Sequence, residues 1–321
     1  MPHVNITPSD LSGADCVVAL DVGGTDIKGG VVDANGGLVY SERRPTGRTD
    51  GPNAVVAGIV DFAEALRDRA VELGGVPRAA GVVVPGIVDD AAGVAVWSAS
   101  IQWREVPLRS LVADRLGLPA ALSHDVRTGA LAEGRLGAGR DCDNFLFVAI
   151  GTGLASVLVL NGRPYPGAHG QAGEIGHITV RPGGGKCTCG AVGCLEAHFS
   201  GPAIAHAFAE AAPGDDPPLS AAQVVARVAA GDRVAAAVWG QGLSAFADGL
   251  LTGLALYDPK LLVIGGGLSL AGEQLFNPLR TLLAERAVVQ HVPPLVTAAL
   301  GDEAGCRGAG LIAWDTLEVR G

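Results

Sequence analysis

The chain has 321 residues, 48% hydrophobic and only 17% charged, with a formal net charge of −10 and a pI near 5.1. That length accommodates two lobes with a core each, and the composition excludes a disordered chain. The acidic balance and the lack of any Lys/Arg block exclude a basic nucleic-acid surface, and no apolar run approaches the roughly 18 residues needed to span a bilayer.

Residues 1–15 are polar, without a basic-then-apolar signal pattern, and read as a short loose arm of a cytoplasmic protein. An apolar run at 16–20 leads into Asp21-Val-Gly-Gly-Thr25, and apolar residues resume at 27–32 before the turn Asn35-Gly36-Gly37. This predicts two strands joined by a glycine-bearing hairpin tip. Apolar residues at helical spacing predict a helix over 53–73, stopped by Gly74. A buried strand is expected at 80–84, a helix at 108–116, a short strand at 120–122, and a helix from 128 to 136. A second strand-glycine-strand pair, 145–150 and 154–160, surrounds Gly151-Thr152-Gly153. Helices are predicted near 202–211, 221–230 and 234–256. A strand follows at 261–264, then Gly265-Gly266-Gly267, a helix at 275–286 and a closing helix at 308–317.

The stretch from Glu174 to Glu196 carries the most chemistry. Cys187, Cys189 and Cys194 are three of the six cysteines, and His177 stands ten residues before the first. Three thiolates and an imidazole complete a tetrahedral Zn²⁺ shell, and a closed four-ligand site is structural rather than hydrolytic. Glycines at 183–185, 190 and 193 let so short a segment wrap an ion. A pinned loop would hold Glu174 and Glu196 in fixed directions, as hydrogen-bond acceptors for a polyhydroxy ligand. Cys-x-Cys alone would read better as reduced cysteines in a glycine-rich loop with a nearby surface histidine; the His and the third Cys at these spacings turn the reading to zinc. The remaining Cys16, Cys142 and Cys306 are scattered and read as small buried residues; a disulfide framework is not expected.

This segment resembles the signature of the ROK family (repressors, open reading frames and kinases), most of whose members are sugar kinases. The resemblance extends from Asp21 to about residue 311, where Leu300-Gly-x-x-Ala-Gly-x-x-Gly-Ala309 also looks like the family's ending. It implies the two-lobed actin-like ATPase (ribonuclease H-like) α/β fold, with two similar halves facing a cleft. A lobe of 1–123, rejoined by a final helix at about 301–321, and a larger lobe of 124–300 with the zinc loop are expected. The repressor members carry a helix-turn-helix domain before the first glycine motif. Here that motif begins at Asp21, so DNA binding is not expected.

The resemblance also implies the roles. Asp21-x-Gly23-Gly24-Thr25-x-x-Lys28 resembles the first phosphate loop, in which glycines let backbone N–H groups approach phosphate oxygens, Thr25 adds a donor, and Asp21 sits near the water shell of Mg²⁺. Taken alone it is equally an ordinary hairpin turn. Gly151, Thr152 and Gly153 would grip the triphosphate from the other lobe, and Gly265, Gly266 and Gly267 would pass under the ribose and adenine of ATP. Asp125 corresponds to the general base that accepts the hydroxyl proton in phosphoryl transfer; alone it would read as a solvated strand-end carboxylate. Glu174, His177 and Glu196 match sugar-binding positions, with one nitrogen of His177 on zinc and the other toward the sugar.

Four positions depart from the family pattern. His124 replaces the usual Asn, and Ser100 stands where an Asn is common; Val126-Arg127 replaces the Ala-Asn of glucokinases. His124 either contacts the sugar or is structural. The expectation is an ATP-dependent hexose 6-kinase, glucokinase-like, that uses ATP and Mg²⁺, holds one structural Zn²⁺, and assembles as a homodimer or homotetramer. A kinase for an amino or N-acetylamino hexose is the alternative, and a sugar-binding regulator without turnover is the alternative of another class.

Overall fold

The computed structural model describes residues 5–6, 11–214 and 218–318. The chain divides into two compact units. One takes in Met1–Leu136, Gly167–Gly170 and Asp302–Gly321, the other Gly137–Pro166 and Gln171–Gly301.

In the first unit, β1 (Asn5–Ile6), β2 (Asp15–Val22), β3 (Asp26–Asp33), β4 (Leu38–Pro45) and β5 (Val76–Val84) belong to a sheet completed by a later strand. Next come β6 (Ile87–Asp89), β7 (Val94–Trp97) and β8 (Arg104–Val106), a small antiparallel sheet of their own, and then β9 (Ala120–His124). The larger sheet runs β1-β4-β3-β2-β5-β9, with β2 to β4 an antiparallel meander and β2, β5 and β9 parallel. Asn5 and Ile6 pair with Ser41 and Tyr40, so this part of the expected loose arm is a strand; the rest of 1–10 lies outside the described residues.

Residues Cys16 to Leu20 of β2 are all fully buried, which requires cover on both faces of the sheet. Val18, Leu20 and Val22 meet α1 (Pro52–Glu72) and α2 (Leu108–Leu116) in one core, where Phe62 and Leu66 are buried. Burying each of these two side chains contributes roughly 1.5–3 kcal/mol. Helix α1 starts at Pro52, whose missing N–H is harmless in a first turn. It is followed by Gly74 at φ +80°. The third helix, α3 (Asp125–Leu136), begins three residues before the predicted position and follows β9 directly.

The second unit opens with β10 (Phe145–Ile150), β11 (Leu154–Leu160) and β12 (Arg163–Pro164), an antiparallel meander. Helices α4 (Gly201–Ala211), α5 (Ala221–Ala229) and α6 (Arg233–Tyr257) follow, then β13 (Leu262–Gly265), α7 (Glu273–Arg286) and β14 (Leu295–Thr297). The sheet order is β12-β11-β10-β13-β14, with β13 and β14 parallel to β10. Helix α6 is long and apolar enough to cross a membrane by length and composition. Yet 56% of its apolar window is buried, with Trp239, Phe246 and Leu250 in the unit's core. Pro278 lies inside α7 and cannot donate to the carbonyl of Gln274. The indole N–H of Trp239 takes that place, donating to the Gln274 carbonyl at 3.0 Å.

Helix α8 (Ala304–Glu318) closes the described chain and packs on the first unit's sheet through Cys306, Ala309 and Ala313, against Val17, Ala19 and Val83. A Cβ on Gly308 would lie 2.5 Å from the Thr128 carbonyl oxygen, so only glycine lets α8 approach α3 so closely. Arg135 of α3 adds a two-pronged pair with Asp315 of α8, at 2.7 and 2.9 Å. These contacts carry the first unit on to Leu136, past the boundary expected near 123. Residues 319–321 of the predicted closing segment lie outside the described residues.

Both units therefore repeat one plan: an antiparallel three-strand meander, continued beyond its first strand by two strands parallel to it, with helices on the sheet. This is the two-lobed, actin-like α/β fold expected from the sequence.

Candidate active site

In the first unit the end of β9 and the start of α3 deliver His124 and Asp125 side by side. The Asp125 carboxylate takes the Val126 N–H at 2.7 Å, and the positive end of the helix favours a negative charge there. His124 Nδ1 lies 3.3 Å from Asp125 Oδ1 and accepts the Arg127 N–H at 3.4 Å. The Thr128 hydroxyl donates to the His124 carbonyl at 2.7 Å.

The tip Gly23-Gly24-Thr25 joins β2 to β3, closed by the Gly23 N–H on the Asp26 carbonyl at 2.9 Å. Thr46, 3% exposed, braces it from the end of β4: its N–H donates to the Thr25 carbonyl at 2.8 Å and its hydroxyl to the Gly23 carbonyl at 2.7 Å. Sequence reading missed Thr46, which carries no motif. A Cβ on Gly24 would lie 3.5 Å from the Ser100 Cβ, so Ser100 borders the tip. Lys28 faces Asp21 across the hairpin, with Nζ 3.6 Å from its carboxylate, and is also paired with Asp302. Burial pushes the Asp21 carboxyl up to about 6; Lys28 acts against this and the Asp125 charge adds to it.

In the second unit, Gly151-Thr152-Gly153 forms the turn between β10 and β11, and the Gly151 carbonyl accepts the Gly201 N–H at 2.8 Å. Glu196 holds this turn: its Oε2 takes the Leu154 N–H at 2.9 Å, and its Oε1 faces the Thr188 hydroxyl at 3.4 Å. Beside the turn opens a mostly apolar cavity of about 800 Å³, lined by Gly151, Thr152, Pro202, Val225, Gly267 and Leu268 among others. Of the glycine triplet only Gly267 lines it. A Cβ on Gly265 would lie 3.1 Å from Phe147 and Ala298, and one on Gly266 would run into the Ile150 backbone.

The side chains of His177, Cys187, Cys189 and Cys194 converge, with all four donor atoms within 4.8 Å of one another. Zn–S bonds of about 2.3 Å place tetrahedral ligand atoms about 3.8 Å apart. Cys189 Sγ is 3.8 Å from Cys194 Sγ, and His177 Nδ1 is 3.6 Å from Cys187 Sγ, so the quartet fits a zinc ion. A Cβ on Gly193, at φ +81°, would run into the Arg181 carbonyl; the close folding of the loop requires glycine. The other ring nitrogen of His177 lies 3.8 Å from the Glu174 carboxylate. Of the scattered cysteines, Cys16 and Cys306 are buried, whereas Cys142 is half-buried.

The ROK family model matches residues 17–316. The chain belongs to the ROK family. A glucokinase of Streptomyces coelicolor is 32% identical over 92% of this chain and 96% of its own length. An N-acetyl-D-glucosamine kinase of Pectobacterium atrosepticum is 33% identical over 91% of this chain and 97% of its own. Among solved structures, a ROK family glucokinase from Streptomyces griseus in complex with glucose and AMPPNP superposes with a TM-score of 0.81. It is 28% identical, over 94% of this chain and 99% of that one. Within the first unit the geometry sets His124 beside Asp125; within the second it gathers the His177–Cys187–Cys189–Cys194 quartet and, at the cavity, the Gly151–Gly153 turn with Gly267.

Proposed function

We propose that this chain is an ATP-dependent hexose 6-kinase of the glucokinase type, with Asp125 as the general base. The observation that carries the reading is the combination, in one ROK chain, of a carboxylate at the start of α3 with a glycine-lined apolar cavity suited to a nucleoside. The relatives, kinases of glucose and N-acetylglucosamine by name, support the reaction class. The glucose and AMPPNP complex of the Streptomyces griseus enzyme supports ATP as the donor.

Phosphoryl transfer to an alcohol needs little covalent chemistry from the protein beyond a positioned base; the rest is orientation and charge neutralisation. Asp125 accepts the proton of the sugar hydroxyl as the new O–P bond forms. The Gly23–Thr25 tip and the Gly151–Gly153 turn offer N–H and hydroxyl donors to the phosphates. Magnesium accompanying ATP would neutralise phosphate charge, with Asp21 at its water shell. Glu174, His177 and Glu196 hold sugar hydroxyls. Zinc on His177, Cys187, Cys189 and Cys194 would orient that loop without entering the reaction. The assembly is a homodimer or homotetramer.

A second reading, a kinase of an amino or N-acetylamino hexose, is favoured by His124 and Ser100 in place of amides. ADP release measured over a panel of hexoses that includes glucosamine and N-acetylglucosamine tests both. Sugar-dependent release supports the kinase and ranks the substrates; release no faster than with water alone sinks it.

A further inference from the structure

Arg127 is only 7% exposed, and a buried guanidinium is retained at a cost unless its hydrogen bonds are met. Here they are met by two separate stretches of chain. Nη2 donates to Asp90 Oδ1 at 2.6 Å, and Nη1 donates to the Gly170 carbonyl at 3.0 Å. The second oxygen of Asp90 takes the Ser123 hydroxyl at 2.8 Å. One side chain thus ties together the turn after β6, the end of β9 and the segment Gly167–Gly170.

That segment stands out in the chain. It belongs to the first unit, while Pro166 before it and Gln171 after it belong to the second. Gly170 sits at φ +71°, and a Cβ there would come within 3.3 Å of the Val88 carbonyl and 3.6 Å of Arg127 Nη1. Its carbonyl therefore reaches the guanidinium in a conformation that favours glycine. Glu174 follows four residues later on the same stretch of chain.

We propose that Arg127 is a positioning residue that anchors the strap 167–174 and so sets sugar affinity. The proposal rests on the sugar-kinase reading. Arg127 touches neither reacting atom, and its loss acts through the placement of Glu174, on binding more than on the chemical step. Methionine at 127 keeps the length and removes the charge, leaving Asp90, whose side chain is 45% exposed, to water. Lysine keeps the charge but is a point donor that cannot span both acceptors as the planar fork does.

Arg127→Met should raise KM for the best hexose about tenfold, with kcat changed less than about threefold, the signature of lost uniform binding. KM for ATP should stay put. Arg127→Lys should fall between wild type and Met, and Asp90→Asn should shift KM in the same direction. A fall in kcat at unchanged KM, or wild-type behaviour of both Arg127→Met and Asp90→Asn, overturns the proposal. Should Arg127→Met not fold, Asp90→Asn at the exposed partner carries the test. If the wild-type protein phosphorylates no hexose, the kinase reading has failed, and hydrogen exchange of the strap decides separately. Amides at 167–174 should then exchange faster in the variants while α6 is unchanged; equal exchange ends the idea.

Discussion

Nδ1 of His124 lies 3.3 Å from Oδ1 of Asp125 and also accepts the Arg127 N–H at 3.4 Å. The imidazole is therefore held by its own helix turn, beside the proposed base. Asn in the family offers an acceptor and a donor from one end, whereas an imidazole offers one hydrogen bond per ring nitrogen. A site shaped for one hydroxyl pattern leaves polar groups unpaired against another. His124→Asn should raise kcat/KM for glucose, relative to the native best substrate, by about tenfold, one hydrogen bond's worth of about 1.4 kcal/mol. If glucose is already best and the ranking of hexoses does not move, His124 is structural.

The zinc quartet yields a prediction readable without activity. Elemental analysis of desalted protein should find about one zinc per chain. Cys189→Ser should lose the metal and weaken sugar binding together, because the loop that carries Glu174 and Glu196 slackens. Glu196 also holds the Leu154 N–H, so affinity for ATP should decline as well. Metal-free protein that phosphorylates sugar normally would end the zinc assignment.

Asp21 makes the enzyme pH-sensitive on the acid side. Its carboxyl, pushed up to about 6 by burial, must ionise to serve Mg²⁺, so kcat/KM should fall as pH drops through about 6. Stability runs the other way. The folded pKa lies above the unfolded value of about 3.9, so between about 4 and 6 the folded chain holds a proton that the unfolded chain has released. Stability of the ligand-free protein therefore decreases as pH rises through that window, by at most about 3 kcal/mol. Thermal melts at pH 4 and pH 7.5 check this: Asp21→Asn should gain on the wild type at the higher pH. An advantage at pH 4 instead would contradict the assignment.

The repeated strand-glycine-strand units were legible because each is local. Apolar runs flank a glycine cluster within about twenty residues, and the predicted strands 145–150 and 154–160 match β10 and β11 residue for residue. The convergence of His177, Cys187, Cys189 and Cys194 was legible for the same reason, since four metal-ligating side chains within eighteen residues are a pattern in themselves. The small sheet β6-β7-β8 was not, because strands of three or four residues show no period. Thr46 and the Arg127–Asp90–Gly170 junction were hidden by separation: Arg127 and Gly170 stand 43 positions apart, and only the fold joins them. Gly265 and Gly266 illustrate a further limit. Two members of the triplet have a tertiary reason to be glycine that no sequence pattern shows, the close approach of Phe147, Ala298 and Ile150.

Asp125 is proposed to accept the sugar hydroxyl's proton during transfer from ATP. The most direct measurement is phosphorus NMR of the product, together with kcat for wild type and Asp125→Asn at saturating hexose. Proton transfer to Asp125 should give one hexose 6-phosphate per ADP, and a fall in kcat of at least about a hundredfold in the variant with sugar affinity far less changed. Near wild-type turnover by Asp125→Asn, or ADP without sugar phosphate, would contradict it.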